Sequence, residues 1–208
     1  MTSKKMVKGF MSAFALILGG MSFGADVTLT TVGNYTTMTT ASNWSNGIAP
    51  TDQSQSQTLA GCDYFVVNKS SVQVPWYSAY TLYCNSMTWQ NTSMIKRKTT
   101  MVFQNEGLKI VGIAMDDWDD DPLTIGGPVT FSGNAVSSFH GARANSNHFS
   151  FTGAVSSDAT SGFYLYRSAA AENTYYGMTF TGDLSGFKGT MRRGDCARLE
   201  LAGNTIPG

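Results

Sequence analysis

Five carboxylates crowd one short segment, Asp116-Asp-Trp-Asp-Asp-Asp121, closed by Pro122. In an extended chain alternate residues face the same way, so Asp117, Asp119 and Asp121 would present hard oxygen donors together, a set suited to Ca²⁺. The segment lacks the glycine and the distal glutamate of an EF-hand loop, and a solvated acidic loop is the plain alternative. A second concentration, Val74-Pro-Trp-Tyr-Ser-Ala-Tyr-Thr-Leu-Tyr83, puts four large aromatics into eight positions. Exposed, the faces of Trp76, Tyr77 and Tyr80 would stack on sugar rings. Buried, the same rings would fill a core or close the end of a solenoid.

Nucleophilic chemistry finds little support. The two histidines, His140 and His148, lie in polar stretches and read as loop residues with no nucleophile nearby. The hydrolase-like string Gly20-Met-Ser-Phe-Gly24 falls inside a leader segment. The acidic cluster with Arg143 would serve a polysaccharide-acting enzyme only if its acids met in one groove, and bunched acids suit a loop better. Lys96-Arg-Lys98 is too short for a nucleic-acid patch and reads as a solvated turn. No Gly-rich phosphate loop precedes a helix, and no cofactor other than Ca²⁺ suggests itself.

Three cysteines occur, Cys62, Cys84 and Cys196. The first two are 22 residues apart, close to one turn of a β-solenoid. Stacked turns lie about 4.8 Å apart, within reach of a disulfide, so a Cys62–Cys84 bridge and buried free thiols are both open readings.

The elements that must position these residues are strands. Of 208 residues 24 are Thr, 22 Ser and 22 Gly, and only three are Glu (Glu106, Glu172, Glu200), a composition that favours strands over helices. The charged fraction is 13%, which excludes a strongly basic nucleic-acid binder. Residues 1–24 place Lys4, Lys5 and Lys8 before a short apolar run ending in small residues, the pattern of a cleaved secretory signal peptide. Its removal after Gly24 leaves 11 basic and 14 acidic side chains on an exported chain. No later apolar run is long enough to span a bilayer as a helix.

Val27 to Thr40 reads as a strand pair, Thr51 to Thr58 as an exposed polar loop, and Tyr64–Asn68, Tyr80–Cys84, Met87–Asn91, Met101–Asn105 and Leu108–Gly112 as strands. A weak repeat follows: Val-Thr-Phe131-Ser-Gly, Phe-Ser-Phe151-Thr-Gly and Met-Thr-Phe180-Thr-Gly, spaced by 20 and 29 residues. Met-Thr-Trp89-Gln-Asn and Met-Val-Phe103-Gln-Asn are cruder versions. An inward aromatic between outward hydroxyls, stopped by Gly or Asn, is one side of a solenoid turn. We therefore expect an all-β chain, a right-handed parallel β-helix (β-solenoid) with short irregular rungs, in which Phe131, Phe151 and Phe180 form an internal column. A β-sandwich is the alternative. The expected organisation is a signal peptide over 1–24, N-terminal strands and a polar loop acting as a cap over 25–60, and rungs over 61–208, whose last rung would present a β-edge.

Asn43-Trp-Ser-Asn-Gly-Ile-Ala-Pro50 resembles the block that opens the solenoid in secreted bacterial proteins with autotransporter-associated β-strand repeats. Phe180-Thr-Gly-Asp-Leu-Ser-Gly-Phe-Lys-Gly-Thr-Met191, with Leu199-Glu-Leu-Ala-Gly-Asn204, is similar to their repeat unit. The resemblance covers about half of the exported chain. It implies a passenger-type β-solenoid at the cell surface or in the medium, structural or adhesive, meeting extracellular glycans or proteins, and it transfers no catalytic residue. A secreted carbohydrate-binding module is the second reading.

Overall fold

The structure is a computed structural model that describes residues 25–31, 37–75, 77–96, 98–117, 122–141, 146–167, 176–195 and 197–202, giving only the backbone of Lys96, Asp117, 146–148 and Arg167. The signal peptide, Trp76, Asp119, Asp121, Arg143 and Cys196 lie outside the described residues.

Strand β1 (Asp26–Thr28) comes first, and a non-strand segment follows it. Strands then recur in threes: β2 (Asp63–Val67), β3 (Val72–Gln73) and β4 (Ala79–Leu82) make the first rung. The second rung is β5 (Ser86–Gln90), β6 (Ser93–Lys96) and β7 (Thr99–Phe103), and the third β8 (Gly107–Val111), β9 (Ala114–Asp117) and β10 (Leu123–Gly126). The fourth is β11 (Val129–Phe131), β12 (Val136–Gly141) and β13 (Ser146–Phe151), and the fifth β14 (Val155–Ser157), β15 (Gly162–Arg167) and β16 (Tyr176–Phe180). A last rung holds β17 (Thr190–Arg193) and β18 (Ala197–Leu201), with Phe187 bridged to Ser157.

Each strand pairs in parallel with its counterpart one rung away, which builds three six-stranded sheets. Sheet 1 runs β1-β2-β5-β8-β11-β14, sheet 2 runs β3-β6-β9-β12-β15-β17, and sheet 3 runs β4-β7-β10-β13-β16-β18. The architecture is the expected β-solenoid. A single rung cannot bury its apolar side, so each is stable only against its neighbours. The alternation of the pleat sends every second side chain inward: Val27, Tyr64, Met87, Leu108, Val129 and Val155 form one buried row of sheet 1.

The recurring phenylalanines are all interior, but they do not form one column. Phe151 and Phe180 are in register on sheet 3, whereas Phe131 belongs to sheet 1 and meets Phe151 across the interior at 6.4 Å. The 29-residue spacing is a rung and the 20-residue spacing is not. Rung length varies: Asp63 pairs with Ser86, Ser86 with Gly107, Val129 with Val155 and Ser157 with Phe187.

Corners are turned by residues suited to left-handed backbone. Asn68, Asn91 and Asn105 have φ of 51°, 46° and 52°, a region asparagine tolerates better than most residues. This is why Gln-Asn served as a strand terminator in the sequence. At the corner from sheet 3 to sheet 1, Gly153 lies so close to Gly127 that a Cβ would meet its carbonyl oxygen at 1.9 Å, and Gly182 stands the same way over Gly153.

The N-terminal end is closed differently from expectation. Val27–Thr40 is not a strand pair among the described residues: β1 joins sheet 1 beside β2, and Leu29 and Thr37 make isolated bridges to Trp44 and Gln73. The polar stretch is helical turns, Gln53–Gln55 and Ser56–Leu59, opened by the Asp52 carboxylate accepting from the Ser54 amide at 3.0 Å. Polar residues stay outside and Leu59 alone is fully buried, which periodicity over so short a run cannot signal. Trp44 is buried edge-on to Tyr64 at 4.8 Å, and its indole N–H donates to the Met38 carbonyl. The Tyr64 hydroxyl accepts from Asn46 and donates to the Ile48 carbonyl. Gly47 turns the chain at φ 68°, and the buried Pro50 accepts from the Tyr83 amide. The Trp-Asn-Gly-Pro block is thus a lid on the first rung.

Candidate functional site

The connections from sheet 2 to sheet 3 carry most of the residues that the sequence offered for chemistry. They fall in sequence at residues 74–78, 97–98, 118–122, 142–145 and 168–175, between strands of sheet 2 that end, and strands of sheet 3 that begin, at the same corner. Tyr77, Lys98 and Pro122, from three separate stretches of sequence, are therefore neighbours on consecutive rungs. Sequence reasoning treated them singly because nothing in a linear reading gives the rung period that superposes them.

A cleft of about 260 Å³ opens at this corner, lined by Tyr77, Ser78, Ala79, Lys98, Thr99, Thr100, Pro122 and Thr124. Its walls are tied across rungs. The Tyr77 amide donates to the Lys98 carbonyl at 2.7 Å, the Thr99 hydroxyl to the Ser78 carbonyl at 2.6 Å and the Thr99 amide to the Pro122 carbonyl at 3.3 Å. Tyr77 is 63% exposed, the most open large apolar side chain among the described residues, and its φ is 52°. A bulky residue pays about 1–3 kcal/mol for that backbone, so it persists only where the surroundings fix it. An exposed phenol, a lysine and threonine hydroxyls around one cleft can stack on a ring and donate to oxygens.

The other expected ligand residues part company. Tyr80 is half-buried, level with the buried Met101 of the next rung. Trp76 is outside the described residues. Of the expected calcium ligands, Asp117 ends β9 with only its backbone described, and Asp119 and Asp121 lie outside the description.

Of the two readings open for Cys62 and Cys84, the structure has the buried free thiols and no bridge between them. The first-to-second rung step pairs Asp63 with Ser86, and the Asn85 amide donates to the Cys62 carbonyl, so Asn85 rather than Cys84 lies opposite Cys62. The Cys62 thiol donates instead to the Thr58 carbonyl at 3.4 Å. Burial pushes the Cys84 thiol up to about 12, so it stays protonated at neutral pH.

His140 is not a loop residue. It stands on β12 level with Asp116 of β9, its Nδ1 3.2 Å from the Asp116 carboxylate, and its ring stacks on Tyr166 at 4.7 Å. Tyr166 stacks in turn on Tyr164 at 5.1 Å. His148 is likewise on a strand, β13. The sequence signal was the alternation Val-Ser-Ser-Phe-His, hidden by the polar company of the histidine. The stacked rings join β12 to β15, and the Asp116 carboxylate on β9 extends the contact to a third rung of sheet 2.

Among the described residues no helix is long and apolar enough to cross a membrane. Comparison with protein-family profiles, with characterised proteins and with solved structures finds no match.

Proposed function

We propose that this chain is an exported structural or adhesive surface module of the autotransporter-passenger type, in which the solenoid is a rigid rod and the sheet 2–sheet 3 corner is its recognition edge. The cleft at this corner carries this reading: Tyr77, Lys98 and Pro122 come from three consecutive rungs and line it together, and a stacked rod that repeats one corner offers a continuous line to a partner. A second reading, a carbohydrate-binding module, is favoured by the open ring of Tyr77 beside Lys98 and threonine hydroxyls.

Glycan-array and cell-surface binding by the secreted chain tests both. We expect binding that Tyr77→Ala weakens about tenfold with circular dichroism unchanged. Binding to cells but to no glycan would favour the protein-adhesive reading. No binding to either, or binding indifferent to Tyr77→Ala and Lys98→Glu together, would remove this corner as the recognition edge.

A further inference from the structure

We infer that the cleft at the sheet 2–sheet 3 corner is one end of a longer site, and that a neutral, unbranched, β-linked glycan lies along the solenoid axis on the outward face of sheet 3. This rests on the carbohydrate-binding reading of the cleft. Three of the lining residues give the direction: Ala79, Thr100 and Thr124 are level with one another on β4, β7 and β10. The same row runs on past the cleft. Thr124 is level with Ser150 on β13, Ser150 with Thr179 on β16, and Thr179 with Glu200 on β18. The residues that follow the four hydroxyls, Met101, Ile125, Phe151 and Phe180, are each 1% exposed or less, so the pleat turns the hydroxyl row outward.

The outward rows of the other sheets carry charge, Lys109 on sheet 1 and Asp116 beside His140 on sheet 2. From Ala79 to Thr179 the row on sheet 3 holds only a methyl group and hydroxyls. A charged polymer finds no counter-charge along it. A peptide finds no strand edge to extend, because β7, β10, β13 and β16 are each paired on both sides. Sugar hydroxyls donate and accept, as those of threonine and serine do. Among the described residues no hydrogen bond engages the side chains of Thr100, Thr124 and Ser150, whereas the Thr179 hydroxyl donates to Glu200 at 3.2 Å. The open part of the row is thus the first three hydroxyls, and it begins inside the cleft.

Successive rungs stand about 4.8 Å apart, close to the advance of one unit in an extended β-linked glycan. One sugar therefore meets one hydroxyl per rung, while a helical chain would leave the row. At the cleft end the open ring of Tyr77 stacks on the first sugar. One ring and three hydroxyls make a site for a tetrasaccharide.

Isothermal titration calorimetry of the secreted full-length chain tests this, with β-1,4-linked glucose oligomers and β-1,4-linked N-acetylglucosamine oligomers from dimer to hexamer. We expect one series to bind, with affinity rising about tenfold or more from dimer to tetramer and no further rise to the hexamer. Tyr77→Ala should weaken every length. Ser150→Ala, at the far end of the open row, should weaken the tetramer about threefold to tenfold and so remove most of its advantage over the dimer. Thr124→Val, which keeps the shape of the side chain, should weaken the tetramer as much. Circular dichroism and thermal unfolding check that each variant keeps its fold. Binding that Tyr77→Ala weakens but that is equal for dimer and tetramer, or is unmoved by both Ser150→Ala and Thr124→Val, would overturn the extended site and leave the carbohydrate reading of the cleft standing. Binding of neither series would also overturn the extended site, and glycan binding indifferent to Tyr77→Ala would remove that reading of the cleft with it.

Discussion

Phe151 and Phe180 lie level on adjacent rungs of sheet 3, their ring centroids 5.0 Å apart and their planes 9° from parallel. Phe163 closes on Phe180 from sheet 2 at 5.6 Å, so the interior of the last rungs is one aromatic block. Phe180→Ala should cost about 3–5 kcal/mol, because rigid strands on three sides cannot collapse into the void. Phe180→Leu, nearer in volume, should cost less than half of that. Denaturant unfolding measures both, and hydrogen exchange should show the lost protection concentrated in β13, β16 and β18, since rungs touch only their neighbours. An alanine variant unfolding within about 1 kcal/mol of wild type would mean that the block is not close-packed.

Gly153 offers a sharper test of rung stacking. A Cβ there would stand 1.9 Å from the Gly127 carbonyl oxygen and 2.4 Å from its carbon, and backbone cannot swing aside as a side-chain tip does. Gly153→Ala should therefore destabilise by about 3 kcal/mol or more, beyond any gain from alanine's lower chain entropy. Gly47→Ala provides the contrast. No atom lies within 4 Å of its Cβ position, and only its φ of 68° resists a side chain. The expected order of melting temperatures is wild type, then Gly47→Ala, then Gly153→Ala.

The Phe-(Ser/Thr)-Gly motifs disclosed the fold because the pattern is local: an inward ring, an outward hydroxyl and a corner glycine. They did not disclose that Phe131 is on another sheet, since irregular loops break the rung period on which that assignment depends. The strand edges at Tyr64, Met87 and Leu108 were legible within a residue or so for the same reason of local alternation. His140 and Leu59 were missed where one telling residue sat in polar surroundings. The cleft at the sheet 2–sheet 3 corner was illegible altogether: Tyr77 and Lys98 become neighbours only when 21-residue rungs stack.

Alkaline pH should loosen the N-terminal rungs. Burial pushes the Cys84 thiol from 9.0 and the Tyr64 hydroxyl from 10.0 up to about 12 each. Both groups hold their protons more tightly folded than unfolded. Their contribution is complete below the unfolded values and is lost as pH rises toward about 12. Unfolding free energy should begin to fall near pH 9, and Cys84→Ala should delay that onset toward the tyrosine value of 10.0. Thiol reagents at neutral pH should leave Cys84 unmodified until the protein unfolds. A native Cys84 that reacts rapidly at pH 7 would contradict this environment.

The lid gives the last prediction. Tyr64 links it to the first rung through one hydroxyl that accepts from Asn46 at 3.0 Å and donates to Ile48 at 2.9 Å. Tyr64→Phe keeps the ring against Trp44 but removes both hydrogen bonds, and because the exposed Asn46 amide can turn to water the cost should be about 1 kcal/mol. Trp44→Ala removes the ring itself and should cost about 3–5 kcal/mol, exposing the interior ends of Val27 and Tyr64. Because rung energies are passed only between neighbours, both variants should raise hydrogen exchange in β1 and β2 first and leave β16 and β18 protected. Uniform loss of protection along all three sheets would instead mean that the solenoid unfolds as one cooperative unit and that the lid secures every rung.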